Sequence, residues 1–553
     1  RKRYYLNLKN MKNIKITALS FLLLGGTVMS CKDQLDIQNP NQPTPATASS
    51  EAGIVALAQG SVYKNGFTSA GNKYYDGVVG AFYNGVVGIH ELMGDIVTAE
   101  AANTYMNNLS APDMVILDNG AQVPNPNNPA QQKVLLRSVN SNAQQGQNPG
   151  FHEWAMMYQL NNACNTILEA VDKTTFTGDA AAKKNAIKAW AYFWKGIAYS
   201  RIGSLYYAGL IVNTASVTNN TYVSKEKIID EANSNFDKAA AAATASGSNA
   251  DFQSVLTGLI PDFFQNEKGA VPSGAQWVKN INTLKARNIL VNTPTATMTA
   301  AQWGQILTLA NAGVGASDPV FAGTTNANGD IFSPSNYNVA ARAVGSNASG
   351  NTYKISERLI QDFNAGDQRL ANNFKQYPIW IGNADRGNAF NTRWAIVDKG
   401  AGLAGVMVYS NRTAGAGVLY LAGSYEENEL MKAEAKLWTG DVAGAAASIN
   451  AVRAHQGAGI AAITSTDAAT VKEELRKERR VALAFRGLSF YDARRWGVLE
   501  NGRTGAVVIS KDGSSISKNA TIKYNYLDYW DVPENELANN PAGAGSAPLK
   551  NPK

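Results

Sequence analysis

The chain has 553 residues, with 50 Lys and Arg against 43 Asp and Glu and a formal charge of +7. Its 45% hydrophobic and 17% charged residues exclude disorder and a coiled coil, and two cysteines exclude a disulfide scaffold or a Cys-rich zinc module. Six of the basic residues crowd the first thirty positions with no acid among them, so the body is near neutral and lacks the electrostatic footprint of a nucleic-acid binder.

The first thirty residues read as a signal peptide with its start at Met11: Lys12 and Lys15 precede an apolar run from Ile16 to Val28, too short to span a bilayer. The run ends in Val28-Met29-Ser30-Cys31, which resembles a bacterial lipoprotein box and implies acylation at Cys31. Lys32-Asp33 behind it resembles the export signal of surface lipoproteins in Bacteroidota. Residues 31–50 then form a tether, dense in Pro, Asn, Ser and Thr with little to bury.

The body, 51–553, reads as helices separated by long polar loops. Glu51 to Lys64 and Trp154 to Val171 carry apolar residues at helical spacing, the second enclosing Cys164 as a buried free thiol. Asp179 caps a helix from Ala180 to about Tyr207, and Ser224 opens another. Trp277 to Leu290 and Thr299 to Val314 follow, with Thr299 and Gln302 forming a capping box. Ser424 to Glu427 is a second such box, opening a helix to Trp438. Thr439-Gly440-Asp441 separates it from a helix towards Arg453, and Asp467 caps the helix Glu473 to Leu488. Helical spacing assigns Trp154, Trp190, Trp194, Trp277, Trp303 and Trp438 to the core. No strand–helix alternation is visible, so the fold class is mainly α. Ala433-Glu434-Ala435…Trp438…Gly440-Asp441…Ala445…Ile449 has the small residues and turn of a tetratricopeptide-type helix pair.

Catalytic signatures are missing. His90, His152 and His455 share no metal-ligand spacing, and neither a metal nor a cofactor is expected. Gly400-Ala401-Gly402-Leu403-Ala404-Gly405 fits a dinucleotide fingerprint in letters only, because no helix signal follows the third glycine.

The stretch Glu474-Leu475-Arg476-Lys477-Glu478-Arg479-Arg480-Val481-Ala482-Leu483-Ala484-Phe485-Arg486-Gly487-Leu488-Ser489-Phe490-Tyr491-Asp492-Ala493-Arg494-Arg495-Trp496 resembles the signature helix of the SusD/RagB family of nutrient-binding lipoproteins. Its charges also read as i,i+4 pairs on a solvated or inter-helix face. Leu35-Asp36…Asn39-Pro40-Asn41, Leu160 to Leu168, Leu284-Lys285-Ala286-Arg287, Ile449-Asn450-Ala451-Val452-Arg453 and Val532 to Leu537 resemble other landmarks of that family, in its order. The resemblance implies a SusD-like all-helical fold with degenerate tetratricopeptide-type pairs and long loops, an N-terminal part at about 51–270 and a C-terminal part at about 271–553. It also implies a lipid-anchored, surface-exposed outer-membrane protein that binds oligosaccharide or peptide and partners a SusC-type TonB-dependent transporter.

A glycan site needs flat aromatics beside polar side chains. The loops that the resemblance points to contain Tyr74, Tyr75 and Tyr105, then Tyr377, Trp380, Asp385, Arg386, Asn391, Arg393 and Trp394. Trp380 and Trp394 bracket the most site-like segment, expected as an irregular loop. No catalytic residue is assigned. Two other readings stand beside this one: a helical-toroid glycoside hydrolase with two carboxylates facing across a cleft, and a tetratricopeptide scaffold that binds only proteins.

Overall fold

The computed structural model describes residues 49–59, 87–99, 111–125, 132–143, 148–260, 271–319, 322–324, 353–381, 391–397, 418–420, 422–510 and 513–553. Cys31, the tether up to residue 48 and the Gly400–Gly405 segment lie outside them.

The first helix, α1 (Glu51–Ala58), begins where the Ser50 hydroxyl accepts the Gly53 amide. Then come α2 (Val87–Met93), β1 (Val97–Ala99), β2 (Met114–Ile116), β3 (Gln122–Pro124) and α3 (Gln132–Val139). Next, α4 (Pro149–Val171) starts earlier than apolar spacing indicated, because Asn148 caps it and Pro149 already has the helical φ. The following helix, α5 (Ala180–Leu205), opens at Asp179, whose carboxylate accepts the Ala182 amide at 3.0 Å. β4 (Ala208–Gly209), β5 (Val223–Ser224), α6 (Lys225–Ser246) and α7 (Ala250–Leu259) follow. Capping boxes start both α8 (Gly274–Asn292) and α9 (Ala300–Asn311), from Ser273 with Gln276 and from Thr299 with Gln302.

The middle of the chain contributes β6 (Ala322–Thr324), β7 (Tyr353–Ile355), α10 (Glu357–Ile360), α11 (Gln368–Asn373), β8 (Phe374–Ile381), β9 (Thr392–Ile396) and β10 (Val418–Tyr420). The C-terminal run is α12 (Tyr425–Trp438), α13 (Val442–His455), α14 (Ala468–Ala482), α15 (Ser489–Arg495), α16 (Val498–Asn501), β11 (Arg503–Ile509), β12 (Ile516–Lys523) and α17 (Glu534–Asn539). Gly440, at φ 92°, makes the reversal between α12 and α13 in a conformation that other residues resist.

The fold is mainly helical, as expected. Small antiparallel sheets supplement it, the largest in the order β11-β12-β2-β3, where Met114 pairs with Lys523. The core centres on α5, which packs against α4, α6 and α7 and buries Trp190 and Trp194 completely. Phe193 and Trp277 meet with ring centroids 4.6 Å apart, joining α5 to α8. One hydrophobic cluster spans the chain from Ile54 to Val532. Cys164 is buried within it, and burial pushes its thiol up to about 12.

The signature stretch departs from its expected form. Instead of one helix to Leu488, α14 stops at Ala482, and Phe485 and Gly487 adopt left-handed φ of 63° and 71° before α15 begins. That conformation is costly for Phe485. The amides it exposes are both taken by the buried Glu91 carboxyl of α2, at 3.2 Å for Phe485 and 2.7 Å for Gly487. Gly94 lets α2 approach this turn; a Cβ there would fall 2.1 Å from Ser489 Oγ.

The charges of α14 are likewise spent mostly on distant partners rather than along one solvated face. Only Glu473–Arg476 and Glu474–Lys477 are local pairs, at i,i+3. Arg480 donates to Asp362 at 2.6 Å and to the carbonyls of Gly94 and Asp95. Arg479 grips Asp492 with two bonds of 2.9 and 3.0 Å, and Arg495 bridges Asp492 to Glu434. Asp95 is held by Arg358 through bonds of 2.7 and 2.8 Å and accepts the Tyr524 hydroxyl at 2.7 Å.

Burial alone would raise the Asp95 carboxyl, but Arg358, Arg480 and Arg503 outweigh it and hold it well below the carboxylate range. Arg486 likewise overcomes burial at Glu426, bringing it down to about 2. These folded values lie below those of an unfolded chain, so the stability they add is complete above about pH 4 and lost as pH falls towards about 2. Glu91 acts in the opposite sense. Burial raises it to about 7, so its contribution is complete below about pH 4 and lost as pH rises through 7. The melting temperature followed by circular dichroism is therefore expected to peak near about pH 5 and to fall steeply below about pH 4. Asp95→Asn should cost about 3–5 kcal/mol in denaturant unfolding, because it leaves the fully buried Arg358 without its counter-charge.

Candidate ligand-binding site

Four of the expected site residues, Tyr377, Asn391, Arg393 and Trp394, have described side chains, and they fall on or beside one hairpin. The irregular loop expected between Trp380 and Trp394 is corrected at both ends: β8 and β9 pair antiparallel, with Gln376 opposite Trp394 and Ile381 opposite Thr392. Short strands whose hydrophobic alternation is broken by a register shift leave little period-2 signal. Trp394 is half-buried and packs on the main core, with its indole N–H buried and without a hydrogen-bond partner among the described residues. Asn391 anchors the hairpin to β11, donating to the Ser510 carbonyl at 2.9 Å. Arg393 ties it to α10: its amide donates to Glu357 at 3.0 Å, and its guanidinium lies 3.5 Å from the same carboxylate. Tyr377 is half-buried, with the Lys375 ammonium 4.8 Å from its ring centre. The backbone of Trp380 lies in β8, its side chain outside the described set, as do Tyr74, Tyr75, Tyr105, Asp385 and Arg386.

A second feature was not legible as a site. A cleft of about 860 Å³ opens between the C-terminal ends of α8 and α12, the outer face of α14, the turn from α15 to α16, and Asn551 to Lys553. Tyr207, Trp438, Trp496 and Tyr529 supply its aromatic surface. Of the tryptophans assigned to the core, Trp154, Trp190, Trp194, Trp277 and Trp303 are buried, but Trp438 is 40% exposed. It is the last residue of α12, where the helix leaves its packed stripe, and that terminal position next to Thr439-Gly440 is the signal that separates it from the others. Its ring lies parallel to Trp303, with centroids 5.9 Å apart and planes 6° apart.

The charged groups of the cleft are largely neutralised within it. Glu434 receives both arms of Arg495, at 2.6 and 2.7 Å, and the Trp496 indole N–H at 3.3 Å. Glu473 pairs with Arg476, and Lys553 pairs with both Glu500 and Asp528. Burial raises the Asp528 carboxyl, but bonds from Lys553 and Asn551 more than offset this and lower it. Tyr529 lies 4.0 Å beneath the Arg494 guanidinium and donates its hydroxyl to Asn292. Mostly apolar walls with a few fixed polar groups suit a small organic ligand. Among the described residues no group of three His, Cys, Asp or Glu could hold a metal ion. Nor is any described helix long and apolar enough to cross a membrane.

Residues 427–543, from α12 to beyond α17, match the model of the SusD family. Searched against curated proteins, the sequence has no match. Among solved structures, a SusD-like carbohydrate binding protein from Bacteroides vulgatus aligns over 91% of this chain and 99% of its own, at 15% identity and a TM-score of 0.50. A SusD superfamily protein from Parabacteroides distasonis aligns over 88% and 97%, at 13% identity and a TM-score of 0.55. B. fragilis NanU aligns over 93% and 100%, at 15% identity and a TM-score of 0.54. At such identities the likeness is one of fold. The chain thus carries the SusD family's sequence pattern over residues 427–543 and shares the fold of SusD-like proteins across most of its length.

Proposed function

We propose that this protein is a non-catalytic, sugar-binding lipoprotein of the cell surface that passes oligosaccharide to a SusC-type TonB-dependent transporter in the outer membrane. The observation that carries the reading is the family match at residues 427–543 inside a fold whose solved relatives include a SusD-like carbohydrate binding protein. The lipoprotein-type sequence ending in Cys31 supports the anchor. For the ligand surface we keep the residues expected from the sequence: Trp380, Tyr377, Asp385 and Arg386, with Tyr74, Tyr75 and Tyr105. Asn391 and Arg393 shape the β8–β9 hairpin through their bonds to Ser510 and Glu357.

Charge pairing in the cleft speaks against turnover. A glycosidase needs one carboxyl kept protonated and a second facing it, about 5.5 Å away in retaining enzymes and about 6.5–9.5 Å in inverting ones. In the large cleft the carboxylates Glu434, Glu473, Glu500 and Asp528 are each engaged by an Arg or Lys, so none is left over as an unpartnered acid or base.

Titration calorimetry of the mature chain against a glycan panel should show binding, with the glycans recovered intact on chromatography; reproducible cleavage lost on changing one carboxylate would establish a hydrolase instead. Cys31→Ala is expected to move the protein from the membrane to the soluble fraction, and an unmodified Cys31 in the membrane-bound form would refute the anchor. The two hairpin tryptophans should separate. Trp394→Ala should lower stability by about 2 kcal/mol with affinity unchanged, since the ring is half-buried on the core. Trp380→Ala should weaken binding by about 1–3 kcal/mol and leave the melting temperature nearly unchanged.

A further inference from the structure

We propose that the cleft beside Trp438 binds an acidic sugar residue, a uronate-type pyranose that stacks on the indole of Trp438 and sets its carboxylate on Lys472. This deepens the carbohydrate-binding reading and rests on it.

Trp438 is large, apolar and 40% exposed, and its plane is fixed by the parallel contact with the buried Trp303. A rigid, hydrated indole at the mouth of a cleft offers a flat face whose desolvation is recovered when the C–H face of a pyranose covers it. Its present cover is the Lys472 ammonium, 4.8 Å from the ring centre. Such a contact is worth only about 0.5–1 kcal/mol at an exposed site, so a sugar ring can displace it.

Charge then selects the sugar. Every carboxylate lining the cleft already holds a cation, whereas Lys472 and Arg494 have no carboxylate within ion-pair distance among the described residues. An arriving ligand meets a positive excess and no free anion. A phosphate monoester fits less well than a carboxylate, because it brings nearly two negative charges where a carboxylate brings one. Arg494 is not free to meet the second, since it spends its donors on the carbonyls of Ser204, Val291 and Asp528. What remains free to move is one ammonium on a flexible stem, which matches a single carboxylate next to a ring on Trp438.

The test uses the mature chain, trigalacturonic acid as the acidic probe and maltotriose as the neutral one, with affinities read by calorimetry. Trigalacturonic acid is expected to bind more tightly than maltotriose, with an affinity that falls as salt is added. Trp438→Ala should weaken the acidic probe about tenfold. Lys472→Ala should weaken it about fivefold and leave maltotriose unchanged, while Lys472→Arg should retain most of the affinity. Lys472 is exposed, so its variants should keep the wild-type melting temperature; Trp438→Ala gives up its contact with Trp303 and is expected to melt a few degrees lower, and a single cooperative transition above the assay temperature shows that it folds. Equal affinity for the two probes, no binding of trigalacturonic acid, or acidic-probe binding indifferent to both Ala variants would each overturn the assignment. Any of these outcomes, with other glycans from the panel still binding wild type, would remove this site but leave the carbohydrate-binding reading standing. Failure of every glycan to bind wild type would remove both.

Discussion

A guanidinium taken out of water must find a carboxylate or carbonyls to replace its hydration, and the C-terminal half of this protein is organised around meeting that demand. Arg358 and Arg495 are completely buried, and Arg369 and Arg479 almost so. Each reaches a carboxylate contributed from another element: Arg358 finds Asp95, Arg479 finds Asp492, Arg495 finds Glu434, and Arg369, with Arg453, finds Glu478. Buried pairs add little net stability over well-packed apolar residues, but breaking one partner is expensive. Their effect is therefore on alternatives. A packing that separates α2 from α10, or α14 from α15, strands a charge in the interior.

The same constraint shapes the cleft. Arg495 and Glu434 form both part of its wall and the buried bridge that holds α15 to α12. Arg476 is tied to Asp362 as well as to Glu473, so it too is fixed from behind. The walls are consequently stiff, with their carboxylates all engaged. What is left to recognise a ligand is set by residues that the interior did not recruit, which sit at helix ends and on the outer face of α14.

Five helix starts were legible from the acceptor that their first amides need, while the caps at Asn148 and Ser273 were missed. Asp179, Thr299 with Gln302, Ser424, Asp441 and Asp467 all cap the helices that the sequence assigned to them. Breaks and long-range partners were not legible. The turn at Phe485 to Gly487 lies in a stretch whose apolar residues run on past it, and what stabilises it is Glu91, nearly four hundred residues away. The β2–β12 pairing joins segments as distant, in strands too short to show alternation. At the candidate sites the letters named aromatic residues but not their surroundings. Trp394 looked exposed and is packed, while Trp438 looked packed and is exposed. Composition identifies a ring; whether water reaches it depends on which element ends where.

Cys164 gives this architecture a built-in clock. Its thiol has no surface exposure and is pushed up to about 12, so at neutral pH almost none of it is thiolate and none of it faces solvent. An alkylating reagent can reach it only when α4 parts from its neighbours. The rate at which the native protein takes up label at this position then equals the equilibrium for that opening multiplied by the reactivity of an ordinary free thiol. One sulfur atom thus converts the cohesion of the helical core into a chemical rate, read without denaturant.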